Sequence, residues 1–233
     1  MKILFKKIYW FLGIDITKSL DSGVSFFGIN FAKLQEKYLP RGEIALQKCL
    51  ALNPETVLDV GSGGGHHAKE FTLNNAQVTC IDFGTSVYAT KEDAQKNIHV
   101  ININFLEWKP DRRYELVWAS HVLEHQQNVG LFIEKLVACS MESGYIAITV
   151  PFPHRRLYGG HLTMWTPGLL AYNIALCGID LSKSQLFYGF REFTIIFKPI
   201  KVTLPPLTFD SGDITKIKKY LPSEFIENGD PWI

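Results

Sequence analysis

The segment that most constrains the fold is a short apolar run followed at once by a glycine-rich bend. Residues 56–60 read Thr-Val-Leu-Asp-Val, and residues 61–65 read Gly-Ser-Gly-Gly-Gly. A nearly continuous apolar run of this length predicts a strand that is buried on both faces. Glycines allow positive φ angles and let the backbone approach a ligand closely. Ahead of a helix, the bend therefore indicates an α/β sheet that binds a ligand at the carboxyl ends of its strands.

Strand-like and helix-like patterns alternate after this bend, which supports the same interpretation. The predicted strands are 56–60, 77–83, 99–105, 114–120 and 145–151, and the helices between them are 66–75, 86–95 and 131–141. A further helix over 166–178 precedes two β-rich runs, 182–189 and 192–200, which are spaced for a hairpin at one sheet edge. Strands joined by helices in this way predict a mostly parallel sheet.

Acidic residues close the first two predicted strands. Asp59 lies at the end of the first strand, and Asp82 lies at the end of the second, 21 residues after Gly61. An acid in the second position can accept both hydroxyl groups of a ribose. The start of the helix after the bend favours a negative group, whereas Asp59 favours a positive one. A nucleoside ligand that carries an ammonium and a carboxylate would match both.

The dinucleotide fingerprint G-x-G-x-x-G fits this bend poorly. Starting from Gly61, the last glycine is replaced by His66. Starting from Gly63, the last place is Ala68, which that fingerprint sometimes allows. The acid before the bend is not part of the fingerprint. A nicotinamide-dependent reductase therefore remains a less favoured alternative.

Four segments together resemble class I S-adenosylmethionine-dependent methyltransferases, in the broad group that acts on small molecules, lipids and sugars. These segments are VLDVGSGGGHHAKEF, CIDFG, YELVWASHVLEHQQN and MESGYIAITVPFP, and the resemblance covers residues 54–200. It implies S-adenosyl-L-methionine as the cofactor. It also implies a Rossmann-like, doubly wound, mostly parallel seven-stranded α/β sheet with an antiparallel last strand. The count of five helix-linked strands and two terminal strands agrees.

The resemblance also implies a set of cofactor-binding residues near the strand ends. These are Asp59, Gly61, Ser62, Gly63, Asp82, Phe83, Asn104, Phe105, Ser120 and His121. Asp82 would hold the ribose, Phe83 would flank the adenine, and Asp59 would lie beside the methionine part. The family often has Asp where this chain has Asn104, whose amide oxygen can still accept from the adenine amino group.

A long connection over residues 151–167 follows the fifth strand and is expected to shape the acceptor pocket, because loops of this kind often carry function. Its candidate acceptor-binding residues are His154, Arg155, Arg156, Tyr158 and Trp165. The two arginines could clamp a phosphate or carboxylate, or they could form a solvated loop tip.

Two histidines are candidate catalytic bases. His161 resembles a histidine that the family often carries after this strand, although a structural histidine is an open alternative. His121 is the second candidate. A base is needed only if the acceptor is a neutral hydroxyl.

Residues 121–125 read His-Val-Leu-Glu-His, which is also the signature of one class of zinc peptidase. We do not favour zinc hydrolysis, because it leaves the glycine bend upstream unexplained. No metal is expected. The predicted activity is methyl transfer to a small-molecule acceptor, with O-methylation of a sugar or glycan precursor as the leading case. A non-catalytic S-adenosylmethionine-binding protein is the alternative.

The ends of the chain are expected to flank one catalytic domain. We predict an N-terminal helical lid or extension over 1–53, the cofactor-binding domain over 54–202 and a packed tail over 203–233. Residues 1–18 carry four lysines and one acid, and they are expected either to pack as an amphipathic helix or to contact a membrane surface.

The net charge and the cysteine content indicate which partners and which cell compartment to expect. The net charge of +1 argues against a nucleic-acid partner. The four cysteines form no C-x-x-C pair, and three lie in apolar runs, which predicts buried free thiols and a cytoplasmic location. The oligomeric state is left open.

Overall fold

The computed structural model describes residues 25–26, 29–30, 41–84, 97–154, 159–210 and 212–223. The chain divides into two compact units, Met1–Pro40 and Arg41–Ile233. In the first unit, strand β1 (Ser25–Phe26) pairs antiparallel with strand β2 (Ile29–Asn30). The helix predicted over residues 1–18 lies outside the described residues.

The second unit contains seven strands and five α-helices within its described residues. The strands are β3 (Thr56–Val60), β4 (Gln77–Asp82), β5 (Ile98–Asn102), β6 (Tyr114–Ser120), β7 (Ser140–Pro151), β8 (Gln185–Gly189) and β9 (Glu192–Phe197). The α-helices are α1 (Glu43–Leu50), α2 (His66–Leu73), α3 (Val129–Cys139), α4 (Pro167–Leu176) and α5 (Gly212–Ile217). Short 3₁₀ turns occupy Leu123–His125 and Lys218–Tyr220.

The seven strands form one sheet in the order β5-β4-β3-β6-β7-β9-β8. Neighbours from β5 to β7 pair in parallel, and β9 pairs antiparallel with both β7 and β8. The predicted fold class is therefore confirmed, including the single antiparallel strand at the end of the series. The strand order reverses between β3 and β6, which places a crevice at their carboxyl ends.

Apolar side chains cover both faces of the sheet, as the continuous runs predict. On one face, Leu58 packs in a cluster with Phe132 of α3 and Leu170 of α4. On the other face, Val57 packs with Phe71 of α2. Helices thus bury both sides of β3, and removing a fully buried leucine such as Leu58 would cost about 2–5 kcal/mol. This packing fixes the position of the bend that follows β3.

The end of α3 differs from the sequence prediction. We expected the helix to run to residue 141, but it ends at Cys139, and residues 140–144 already belong to β7. Strand pairing begins at Ser140 beside Tyr114, with an irregularity before Leu116. A Cβ atom at Gly144 would lie 2.7 Å from the carbonyl oxygen of Glu115, so glycine allows the two strands to approach there.

The remaining fold predictions concern the helix after β4, the helix before β3 and the domain boundaries. The predicted helix over 86–95 lies outside the described residues entirely. Helix α1 packs through Leu46 and Cys49 into the cluster on the α2 face. The expected domain boundaries at 53 and 202 stay predictions.

The cysteine prediction is confirmed in its main part. All four cysteines are free, and three are buried, whereas Cys177 is half-buried. Among the described helices, none is long and apolar enough to cross a membrane.

Candidate functional site

The glycine bend after β3 needs glycine at its first position. Gly61 has a φ of +73°, and Gly63 and Gly65 also have positive φ angles. The Gly61 amide donates to the carbonyl oxygen of Ile81 at 2.8 Å, which ties the bend to β4. A Cβ atom on Gly61 would lie only 2.8 Å from Cβ of Val122. The bend thus brings its backbone against the segment that follows β6, on the other side of the crevice.

Asp59 places a buried carboxyl group directly before the bend. Its side chain is 2% exposed, and it accepts a hydrogen bond from the backbone amide of Ala68 in α2. Its Oδ2 atom has no partner among the described residues. Burial raises the pKa of Asp59 to about 7, and the nearby charge of Asp82 adds to this effect. An unsatisfied buried oxygen of this kind is costly unless a donor or a cation reaches it.

Asp82 joins the end of β4 to the glycine bend. Its Oδ2 accepts from the Gly63 amide and its Oδ1 accepts from the Gly84 amide, both at 2.9 Å. The neighbouring Phe83 ring is 62% exposed. The predicted ribose acid and its aromatic neighbour therefore lie beside the bend, at the same edge of the sheet.

The two residues after β5 that are predicted to contact the adenine already have partners within the protein. Asn104 uses its side-chain oxygen to accept from the Leu106 amide at 3.0 Å, and its amide nitrogen donates to Glu107. The ring of Phe105 is buried against Phe132. Any contact of Phe105 with a ligand would therefore involve its backbone. The predicted adenine contacts of Asn104 and Phe105 stay predictions.

The end of β6 contributes a second unpaired polar atom. The Ser120 hydroxyl oxygen is buried and has no partner among the described residues. It lies 3.3 Å from where a Cβ atom on Gly42 would be. On the other side of the bend, the Ser62 hydroxyl bonds the Cys80 thiol. The Ser120 hydroxyl therefore lies against the backbone that begins α1.

His67 lies against Gly42, as Ser120 does, and it is not among the site residues predicted from the sequence. The Trp118 indole donates to His67 Nδ1 at 3.2 Å, so His67 Nε2 carries the proton and donates to the carbonyl oxygen of Arg41 at 2.9 Å. Burial lowers the pKa of His67. This neutral imidazole holds the start of α1 over the end of β6.

His121 follows β6 in a left-handed conformation, with a φ of +56°. Its ring lies between two buried carboxylates, with Nδ1 3.2 Å from Glu124 and Nε2 2.7 Å from Glu192. Burial alone would lower the pKa of His121, but the hydrogen bonds and charges of the two glutamates outweigh it and raise the pKa to about 9. Both ring nitrogens are thus donors. The second oxygen of Glu192 accepts from the Gly42 amide.

A group of histidines lies next to Glu124. The rings of His125 and His161 are 5.0 Å apart, and those of His154 and His161 are 5.7 Å apart. The Leu162 amide donates to the carbonyl oxygen of Glu124 at 2.7 Å, so the loop after β7 is fixed to the 3₁₀ turn after β6. Burial lowers the pKa of His161, and the Glu124 carboxylate opposes this effect.

Of the five predicted acceptor-binding residues, His154 and Trp165 lie within the described residues. Arg155, Arg156 and Tyr158 lie outside the described residues. Trp165 is 3% exposed and donates to the Thr163 hydroxyl at 2.9 Å, so its indole supports the loop from the core side. A direct contact of Trp165 with an acceptor stays a prediction.

Comparison with known families decides the assignment. A family model described as "Methyltransferase domain" matches residues 32–176, which is more than half of the chain. The chain is a class I S-adenosylmethionine-dependent methyltransferase. The resemblance predicted from the sequence is therefore confirmed, and the cofactor class follows from it.

Curated relatives match a shorter part of this methyltransferase. A ubiquinone biosynthesis O-methyltransferase of Rhodopseudomonas palustris (strain TIE-1) is 33% identical over 96 residues, covering 40% of this chain and 38% of that protein. A protein of the same name from Rickettsia bellii (strain OSU 85-389) is 37% identical over 87 residues, covering 35% of each. The match thus spans well under half the length of these relatives.

Solved structures share the fold. The Burkholderia thailandensis 1,6-didemethyltoxoflavin-N1-methyltransferase, crystallised with 1,6-didemethyltoxoflavin and S-adenosylhomocysteine, is 17% identical with a TM-score of 0.55, covering 85% of this chain and 90% of that one. Human N-acetylserotonin methyltransferase in complex with S-adenosylmethionine is 17% identical with a TM-score of 0.54, covering 75% and 55%. At this identity, the likeness concerns the fold.

The residues of this methyltransferase fit its cofactor. The unpaired Asp59 Oδ2 suits a positive group of the methionine part, and the Gly61 bend leaves room for the backbone to approach it. The carboxylate of Asp82 has the chemistry to accept from ribose hydroxyls. Asp59, Gly61, Gly63, Asp82 and Ser120 meet around one crevice.

The sequence interpretation missed two members of this site. Glu192 and Gly42 are far from the motifs along the chain, and they reach the site only through the antiparallel placement of β9 and the docking of α1. One signal was available for Glu192, because an acid opens the otherwise apolar run Glu192–Phe197. An acid in that place indicates a buried partner.

Proposed function

We propose that this methyltransferase transfers a methyl group to a hydroxyl oxygen of a small organic acceptor. One observation carries the proposal. The backbone amides of residues 162 and 163 donate hydrogen bonds to the carbonyl oxygen of Glu124. These bonds hold the loop that carries His161 beside the carboxyl end of β6. Polar groups able to activate a hydroxyl are therefore placed next to the cofactor edge of the sheet.

S-adenosylmethionine, when bound, supplies an electrophilic methyl group on a positively charged sulfur. The chain has to bind and orient it, and alignment of the reacting atoms can supply much of the rate. We assign the grip on the cofactor to Asp59, Asp82 and the bend at Gly61. The remaining requirement is to remove the proton of the acceptor hydroxyl.

His161 is the candidate for activating that hydroxyl, as the sequence analysis predicts. His121 suits a positioning role better than a base, because both of its ring nitrogens already donate to carboxylates. The catalytic roles of both histidines remain proposals. A structural His161 that only bonds its loop would leave turnover unchanged on replacement.

Two acceptor classes deserve the first tests. The names of the Rhodopseudomonas and Rickettsia relatives favour a hydroxylated precursor of a quinone. The resemblance in the sequence favours a sugar or glycan precursor. Both offer the hydroxyl that the proposal requires, so the acceptor panel has to include both.

The test uses the full chain with methyl-labelled S-adenosylmethionine and the acceptor panel, and it detects label in a product by mass spectrometry. Transfer to an acceptor hydroxyl, abolished in Asp82→Ala, supports the proposal. Tight binding of S-adenosylhomocysteine without transfer to any acceptor would favour the non-catalytic binding protein. Calorimetric binding of NAD in place of S-adenosylhomocysteine would favour the reductase. The location of the protein in the cytoplasm stays an expectation.

A further inference from the structure

We propose that Glu124, His125 and His161 bind a divalent transition-metal ion beside the cofactor crevice. One ligand atom of each residue lies within 4.8 Å of the others. The three residues come from the 3₁₀ turn after β6 and from the loop after β7. The site is therefore assembled by the fold, and none of its three ligands is among the residues assigned to the cofactor.

Glu124 provides the strongest observation. The residue is fully buried, and its Oε1 contacts His121 Nδ1 at 3.2 Å. Its Oε2 atom is buried and has no hydrogen-bond partner among the described residues. A buried carboxylate oxygen without a partner is unfavourable, and a cation held by both carboxylate oxygens would satisfy it, because Oε1 lies 4.0 Å from His125 Nε2. The bond from His121 fixes the carboxylate in place.

His125 has the tautomer that a metal ligand requires. Its Nδ1 lies 2.7 Å from the carbonyl oxygen of Gly160, so Nδ1 carries the proton and donates it. The lone pair is then on Nε2, which is 4.0 Å from Glu124 Oε1. Metal-binding histidines commonly donate their other N–H to a backbone carbonyl in this way, which fixes the ring orientation.

Gly160 is suited to making that bond. Its φ is +80°, and a Cβ atom there would lie 3.1 Å from His125 Nδ1. A side chain at this position would be strained and would press on the imidazole. The loop is thus shaped to bring a carbonyl oxygen directly onto His125.

His161 is held near the other two ligands by its neighbours. The amides of Leu162 and Thr163 both donate to the carbonyl oxygen of Glu124, at 2.7 and 3.2 Å. The same loop thus makes contacts to Glu124 and His125. Bonds of about 2 Å to one ion require ligand atoms roughly 3–3.5 Å apart, so modest side-chain rotations would close the site.

The chemistry of the three proposed ligands indicates which kind of ion the site would bind. Two imidazoles with one carboxylate suit Zn²⁺, Co²⁺ or Mn²⁺, whereas Mg²⁺ and Ca²⁺ prefer oxygen ligands. His154 lies near His161 and is a candidate fourth ligand. His125 is exposed, so one side of the site is open to solvent and to an acceptor.

This trio differs from the zinc-peptidase pattern in the sequence. That pattern would pair His121 with His125 on one helix, whereas His121 here bonds both Glu124 and Glu192. The segment forms a 3₁₀ turn, and the third ligand comes from residue 161. The proposal departs from the sequence expectation that no metal binds.

The role of the ion rests on the proposed function. An acceptor hydroxyl that binds the ion loses its proton to water more easily, because the cation stabilises the resulting oxygen anion. That oxygen forms the new bond to the methyl carbon as the bond from carbon to sulfur breaks, and the sulfur becomes a neutral thioether. His161 then acts as a ligand of the ion, and a separate base is not needed.

The test is direct metal binding to untagged, chelator-treated full-length protein. We expect calorimetry with ZnCl₂ to give one site per chain, and Co²⁺ to give a visible absorption band from its bound form. Glu124→Gln and His161→Ala should each weaken binding by about 10- to 100-fold. His99→Ala, which removes an exposed histidine on β5, serves as the control and should bind as the wild type does.

Circular dichroism shows whether each variant is folded. His125→Ala, at an exposed position, provides a third test of the same site. The proposal is overturned if the wild type binds no Zn²⁺ or Co²⁺, or if the folded variants bind them as tightly as His99→Ala does. S-adenosylhomocysteine binding is measured on the same samples. A wild type that binds S-adenosylhomocysteine but no metal refutes the metal site alone, whereas a wild type that does not bind the cofactor refutes the proposed function.

Discussion

Replacing Asp59 with Asn should change how the stability of the apoprotein depends on pH. The Asp59 carboxyl is buried and its pKa is raised to about 7 from an ordinary value of 3.8, chiefly because burial disfavours the charge. Between these two values the folded protein holds a proton that the unfolded chain has released. The free energy of unfolding therefore falls as pH rises through this window, and this contribution is fully lost above the folded pKa.

The size of the effect follows from the pKa shift. Each pH unit in the window is worth about 1.4 kcal/mol. From pH 5 to pH 8 the wild type should lose about 2.5 kcal/mol relative to Asp59→Asn, which has no proton to release. Asparagine keeps an oxygen to accept from the Ala68 amide, so the variant should resemble the wild type at pH 5 and be more stable at pH 8.

Urea unfolding of both proteins at several pH values, without cofactor, measures this difference. Asp111→Asn is the matched control, because it removes an exposed carboxyl group. Its stability curve should run parallel to that of the wild type. If Asp59→Asn also runs parallel to the wild type from pH 5 to pH 8, then Asp59 is not protonated in the folded apoprotein and the reasoning is wrong.

Three further predictions concern the crevice. Gly61→Ala should lose about 1–3 kcal/mol of stability and most S-adenosylhomocysteine binding, because the methyl group would meet a valine side chain at 2.8 Å and alanine disfavours the +73° φ. Gly130→Ala is the control, because no atom lies within 4 Å of its added carbon. If the two substitutions had equal effects in calorimetry and in urea melts, the argument would be contradicted. Asp82→Ala should weaken S-adenosylhomocysteine binding by about 1–3 kcal/mol in calorimetry, and unchanged affinity would exclude Asp82 as the ribose ligand. Trp118→Phe should cost about 0.5–1.5 kcal/mol in urea melts, because His67 loses its indole donor, and an unchanged melt would show that this bond contributes nothing.

The sheet could be predicted because its signals are local. The run at 56–60 is apolar on both faces, and the strand from Tyr114 to Ser120 was placed with its observed limits. The bend can also be predicted from local sequence, because adjacent glycines after a buried strand are typical of a tight turn that approaches a ligand. The acid closing β4 then lies beside the bend because parallel neighbours end at the same edge.

The second half of the site could not be predicted in this way. His121 and Glu192 are 71 residues apart, and they meet only because β9 lies beside β7. The trio at Glu124 depends on a loop whose backbone bonds the turn after β6. No spacing rule along the sequence records such contacts. Trp165 shows the converse, because an aromatic residue in a loop predicted to bind the acceptor supports the loop from the core.

The reversed direction of β9 has a consequence for how this edge of the sheet can vary. Glu192 pairs with Pro151, so the first residue of β9 lies where the parallel strands finish. A seventh strand in parallel would bring Phe197 to this edge, and an apolar ring would face His121. Because the hairpin before β9 ends here, a change in its length or composition would alter the surroundings of the His121 imidazole without disturbing the glycine bend after β3.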